Sequence, residues 1–286
     1  MDKKQKKTML IIFGVIAVIL LLGIFLTSGS SAGEEESVNV IMRDAVLHNV
    51  HKVNFFGIEI NPGLAAGFLV TAILTVAAII IRIFVIPKFT LVPGRFQSVL
   101  ELLVGYFDNL SKTNSPHLNK IMGGYIFAAG VYIFTGTMLE LFGIQVITTT
   151  GASVSLPAPL ADINGALMMG CTSYLFIMSG GIAANGFRGV INTLKEYSLP
   201  ISMSFRLFGA LLSGALVTEL VYYYSHLSVV VPVLVGIMFT CLHALIQAYV
   251  LTMLVSLFYG EVSEPPKPKE KKIKAPKAKK AKGLTV

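Results

Sequence analysis

An arginine stands inside an apolar run long enough to cross a bilayer: Arg206, in SLPISMSFRLFGALLSGALVTELVYYY over residues 198–224. A guanidinium at membrane depth costs from about 2.5 to over 10 kcal/mol, depending on how far it snorkels. No residue within several positions carries the opposite sign. Arginine side chains stay protonated at any physiological pH. A fixed cation in an apolar setting can therefore bind an anionic group, or favour the ionised form of a carboxyl brought close to it.

Arg206 shares a helical face with Ser202, Gly209, Ala210, Ser213 and Val217, at spacings of three and four. Small residues on such a face let another helix approach closely. Glu219 is the only other formally charged side chain in the last two apolar runs, and His243 and Gln247 are the other strongly polar ones. Thr240, His243 and Gln247 recur at helical spacing, so two neighbouring antiparallel helices would each carry a polar stripe. Plainer readings exist for each residue. Arg206 lies six residues past Pro200, about 9 Å along a helix, from where it could snorkel to headgroups. His243 could bond a backbone carbonyl, and Gln247 could join two helices. The small-residue face and the polar neighbouring stripe favour an interior polar surface.

The elements that must position these groups are membrane spans. The chain is 54% hydrophobic and only 13% charged, which excludes a soluble domain. Apolar runs at Met9–Leu26, Leu64–Ile86, Ile121–Gly143, Ile163–Ala184, Pro200–Tyr224 and Val229–Tyr259 are each long enough to cross. The expectation is an all-α polytopic membrane protein of about six transmembrane helices, five in the main body plus an extra N-terminal span or signal. Between the second and third spans, Phe96, Val99, Leu100, Leu103, Val104 and Phe107 form the stripe of an amphipathic helix lying along the interface.

Charge sets the expected topology. Lys88, Arg95, Lys112, Lys120, Arg188, Lys195 and the lysine tail fall on one side, and the Thr148–Asp162 loop without basic residues on the other. The basic side is cytoplasmic by this rule, and so is the C-terminus. Residues 1–32 read as an N-terminal membrane anchor or a signal peptide, 33–62 as an extracytoplasmic segment, 63–262 as the helical membrane domain, and 263–286 as a disordered Lys/Pro-rich cytoplasmic tail. The lysines of that tail outnumber the whole net charge of +8, and it would be drawn to anionic lipids rather than nucleic acid, since it lacks aromatics. Cys171 and Cys241 read as small apolar residues, not as a disulfide or metal pair.

Two segments carry a resemblance. SLPISMSFRLFGALLSG and HALIQAYVLTMLVSLFYGEVSE resemble the signature segments of subunit a of the rotary F-type ATP synthases, a PxSxxxRLFG motif and a later IQAYVFxxLxxxY, with Arg206 and Gln247 on the matching positions. PGRFQSVLELLVGYFDNL and PLADINGALMMG are similar to the helix after that family's first span and to the start of its fourth helix. The likeness runs from about Phe55 to Glu264.

What the resemblance implies is a membrane stator with a long tilted helical hairpin at its C-terminal end. Its arginine would face a ring of c subunits, release a proton or sodium ion from each ring carboxylate, and bar a direct leak between two aqueous half-channels. Peripheral stalk b subunits, the F1 sector through the stalk, and bacterial plasma membrane lipids are the implied partners; no cofactor, metal or catalytic residue is implied. Asp162 and Asn164 would line the outer half-channel, although Asp162 could equally be a helix N-cap. Departures exist: Ala210, Ala215 and Thr240 stand where the family often has polar or ionisable groups. Glu219 and His243, about one turn away, would replace them. Glu196 is the nearest acidic residue before the arginine on the cytoplasmic path. The rival reading is a secondary transporter that binds an anionic substrate with Arg206. An intramembrane enzyme is disfavoured by the lack of an HExxH motif, paired aspartates within spans, or a nucleophile elbow.

Overall fold

The computed structural model describes residue 18 and residues 53–55, 57–116, 119–147, 149, 153–223 and 231–264. The expected first span apart from residue 18, most of the segment before residue 53, the connection between the last two expected spans and the lysine tail lie outside them. Among the described residues there are seven α-helices: α1 (Pro62–Ile80), α2 (Arg95–Asn114), α3 (Asn119–Leu141), α4 (Ile163–Asn185), α5 (Phe187–Lys195), α6 (Ser198–Tyr223) and α7 (Val231–Ser263). The protein is an all-α polytopic membrane protein. Among the described residues four helices are long and apolar enough to cross a membrane: Pro62–Lys88, Ile121–Leu141, Ile163–Asn185 and Gly236–Ser263. The expected fifth run is helical as α6, 26 residues long.

Local sequence explains where the helices start and change. Asn61 caps α1, accepting from the Gly63 N–H at 3.2 Å, with Pro62 at the first helical position where no donor is missed. Asp162 caps α4 in the same manner. Toward its other end α1 widens into a π turn over Ile81–Val85 and a 3-10 turn over Ile86–Lys88. Pro87 sits there, unable to donate to the helical ladder. Two short antiparallel hairpins, not anticipated from the apolar pattern, occupy connections: β1 (Val53–Phe55) with β2 (Ile58–Ile60), and β3 (Gln145–Ile147) with β4 (Ser153–Ser155). The expected amphipathic helix is α2. Phe96, Val99, Leu103 and Val104 are exposed on it, while Phe107 is buried.

The core is shared by α3, α4, α6 and α7, with Met122, Ile126, Ile133, Ile177, Met203, Leu207 and Val255 enclosed. In lipid this packing is driven by close contact rather than by water exclusion, so small residues decide where helices touch. A Cβ on Gly170 would strike the Ser204 hydroxyl and approach the Pro200 carbonyl at 2.8 Å, so α4 and the start of α6 meet at a glycine. Gly189 of α5 lies against Gly181 of α4 in the same way, backbone on backbone. Tyr125, Phe176 and Tyr259 stack across α3, α4 and α7, with ring centroids 4.0 and 5.0 Å apart. Helix α1 stands at the edge, joined to α3 through Ala66, Val70 and Leu139.

Candidate functional site

Helix α6 divides its two faces sharply. Met203, Leu207 and Leu211 point into the core and are 1%, 1% and 6% exposed. Arg206 lies on the other side and is exposed, together with Ser202, Gly209 and Ser213 from the small-residue face predicted for it. Ile201 and Phe205 flank it in the open, and the adjoining surface of α7 carries exposed Leu242, Leu245, Ile246 and Tyr249. Among the described residues no carboxylate lies within ion-pair distance of Arg206; the Lys112–Asp108 pair is on α2. The guanidinium is thus presented outward, from an apolar and small-residue surface, with its charge uncompensated by the described residues.

The structure brings Gln247 to the arginine, but to its backbone. Gln247 is 4% exposed, and its Nε2 donates to the Arg206 carbonyl oxygen at 3.4 Å. This links α7 to α6 at the level of the charge. His243, one turn earlier on α7, is half-buried; its Nδ1 lies 3.3 Å from where a Cβ on Gly214 would stand, and its ring centroid is 5.8 Å from that of Phe239. Ser213 donates to the Ala210 carbonyl at 2.8 Å. Thr240 is half-buried on the same helix. Glu219 is a helical residue of α6.

Asp162 and Asn164 form a separate group. The Asp162 Oδ1 accepts from the Asn164 backbone N–H at 3.0 Å and from the Asn164 side-chain Nδ2 at 3.3 Å. Its Oδ2 accepts from Asn61 Nδ2 at 2.7 Å. Ser204, two residues before Arg206, meets α4 at Gly170, which is two turns along that helix from Asp162, or about 12 Å of axial rise. Asp162 therefore stands about two helical turns from the level at which α4 crosses α6. Glu196 terminates α5 and is half-buried, and its carbonyl accepts from the Leu199 N–H at 3.0 Å. It belongs to the α5–α6 junction, apart from the Asp162 group.

A cavity of about 1230 Å³ opens between α1, α3 and α4. Asn61, Asp162 and Asn164 line one end of it and Arg82 the other, with Thr71 and Tyr132 between. Asn61 is the polar residue that sequence reasoning passed over. Its signal was present as an Asn–Pro pair at a helix start, but nothing in one sequence ties it to a residue 101 positions away. No group of three or more His, Cys, Asp or Glu side chains able to hold a metal occurs among the described residues.

Residues 68–260, more than half of the chain, match the family model described as ATP synthase A chain. A protein named ATP synthase subunit a from Cereibacter sphaeroides is 28% identical over 200 residues, covering 65% of this chain and 76% of that protein. One of the same name from Sulfurihydrogenibium sp. is 24% identical over 205 residues, covering 65% of this chain and 90% of that protein. A third, from Glaesserella parasuis, is 26% identical over 157 residues, covering 46% and 59%.

Proposed function

Because the chain belongs to the ATP synthase A chain family, and so serves as the stator subunit of that enzyme's membrane sector, we propose that Arg206 is the fixed charge past which a ring of c subunits carries its ion-binding carboxylates. The observation that supports this best is the outward guanidinium, unpaired among the described residues, on a face of small and apolar residues. A rotating partner needs such a surface: smooth, greasy and charged at one point.

The physics of the step follows from the charge. A ring carboxyl arriving opposite Arg206 sees a nearby cation, which favours its ionised form and lowers its pKa, so it gives up its proton or sodium ion. A cation trying to pass straight between the two aqueous half-channels meets the same positive charge and is repelled. Only rotation carries the ion across. Each elementary charge that crosses releases about 2.3 kcal/mol per 100 mV, which the ring delivers as torque for ATP synthesis. The chain itself makes and breaks no covalent bond.

The remaining residues divide between the two half-channels. Asp162 and Asn164 line the outer one, at the mouth of the α1–α3–α4 cavity. Glu219 and His243 supply ionisable groups on the path between that mouth and the ring, Ser202 and Ser213 give polar footing on the rotor face, Gln247 fixes the helix pair, and Glu196 lies toward the cytoplasmic exit. Partners are the c ring, the b subunits of the peripheral stalk, the F1 sector through that stalk, and the lipids of a bacterial plasma membrane, with the C-terminus cytoplasmic. Residues 63–262 form the translocating domain, preceded by a signal or anchor at 1–32 and an extracytoplasmic segment at 33–62, and followed by the basic tail 263–286. The test is ATP-driven ion pumping by the reconstituted complex carrying Arg206→Ala. Pumping stops while the complex stays assembled; pumping at the normal rate overturns the reading.

A further inference from the structure

Two helix N-termini meet at one carboxylate. Asn61 caps α1 and Asp162 caps α4, and the side chains of these two caps bond to each other at 2.7 Å. The approach is close enough that a Cβ on Gly63 would lie 2.8 Å from the Asp162 Cβ. Each helix start carries a partial positive charge. An anionic carboxylate between them offsets both, and it also receives the Asn164 donors on its other oxygen.

We propose that Asn61 is a positioning residue for ion translocation, holding the Asp162 carboxylate in one orientation at the mouth of the cavity between α1, α3 and α4. This rests on the reading of Asp162 as a group on the outer path. The side chain of Asn61 has two separate tasks. Its Oδ1 accepts from the Gly63 N–H and caps the helix, while its Nδ2 donates across the seam to Asp162 Oδ2. Without that donor, the carboxylate keeps its own helix cap through Oδ1 but loses the contact that fixes Oδ2 and ties α1 to α4. The carboxylate then samples other rotamers at the cavity mouth.

The two tasks can be separated. Serine is as good an N-cap as asparagine but lacks the amide donor. In the complete ATP synthase reconstituted into vesicles, Asn61→Ser therefore lowers ATP-driven ion pumping about three- to tenfold, the range expected on losing one intramolecular hydrogen bond of ordinary net strength. Asn61→Ala gives a loss of similar size. The two effects are coupled, so adding Asn61→Ser to Asp162→Asn produces no further loss. Wild-type pumping by an assembled Asn61→Ser complex overturns the inference. So does recovery in Asn61→Ser of activity missing in Asn61→Ala, which would reduce the residue to a helix cap. An additive loss in the double variant also overturns it. If Asp162→Asn alone pumps at the wild-type rate, the reading of Asp162 fails first and the role of Asn61 falls with it.

Discussion

A charge that membrane burial makes costly can be kept cheaply if it is never wholly buried, and Arg206 shows how a chain arranges this. The residues on its own face are small, so the guanidinium is reached from outside, while Met203 and Leu207 anchor the opposite face of the same helix in the core. Lysine at this position keeps the charge but not the planar, weakly hydrated fork, and its ammonium shifts pKa readily when dehydrated. Arg206→Lys is therefore expected to abolish ATP-driven pumping as Arg206→Ala does. Fluorescence quenching of a pH- or sodium-sensitive dye in vesicles, beside a native gel showing the intact complex, reads this out. Of the acidic candidates, Glu219→Gln is expected to slow ion flux more than Glu196→Gln, because Glu219 lies along α6 beyond the arginine whereas Glu196 ends α5; equal rates for wild type and the Glu219 variant would remove that residue from the path. At this scale the sequence pointed to Arg206 and Gln247 because a charged or strongly polar side chain in an apolar run demands a reason. The target of Gln247 was not legible: helical spacing put it beside the arginine's stripe, and only the fold shows that it addresses the arginine's carbonyl oxygen instead of its guanidinium.

Helices in a membrane are held by contact, so a glycine at a crossing and a glycine on an open face should respond oppositely to the same substitution. Gly170 faces Ser204 and the Pro200 carbonyl, and Gly209 has nothing within 4 Å of where its Cβ would be. Gly170→Leu must push α6 away from α4, at a cost of about 1–3 kcal/mol or more, as overpacked cores do. The expected result is little assembled subunit in the membrane, measured by its yield in the purified complex. Gly209→Leu is expected to leave that yield unchanged, yet to slow pumping severalfold, because its side chain enters the space offered to the rotor. A Gly209→Leu complex that pumps normally would mean that this face meets lipid. The spans themselves were readable from length and apolar content, and α2 from its stripe. The π turn at Ile81–Val85 and the two hairpins were not. The π turn lies just before Pro87, which removes a donor from the helical ladder, and strands of three residues are too short to give a periodic signal.

The longest helix poses the problem of the whole molecule. Helix α7 has 33 residues, which at 1.5 Å of rise is about 50 Å, well beyond the roughly 30 Å hydrocarbon core. It must lean or project, and Asn114 and Asn185 hold its final turns: Asn114 donates to Ser256 Oγ at 2.5 Å, and Asn185 to the Val262 and Glu264 carbonyls at 2.9 and 2.8 Å. A helix anchored at one end and leaning along α6 leaves the Arg206 face uncovered by the chain's own described residues. That incompleteness separates the two functional readings. A secondary transporter would close its own site and move an anionic substrate without help. A stator cannot act alone, because the ion-binding carboxylate belongs to the ring. The purified chain in vesicles is therefore expected to pass protons and sodium no faster than empty vesicles, and to support flux only when the c ring and stalk copurify with it. Saturable anion uptake by the isolated chain, lost in Arg206→Ala, would instead make Arg206 a substrate site and remove the rotor from the account.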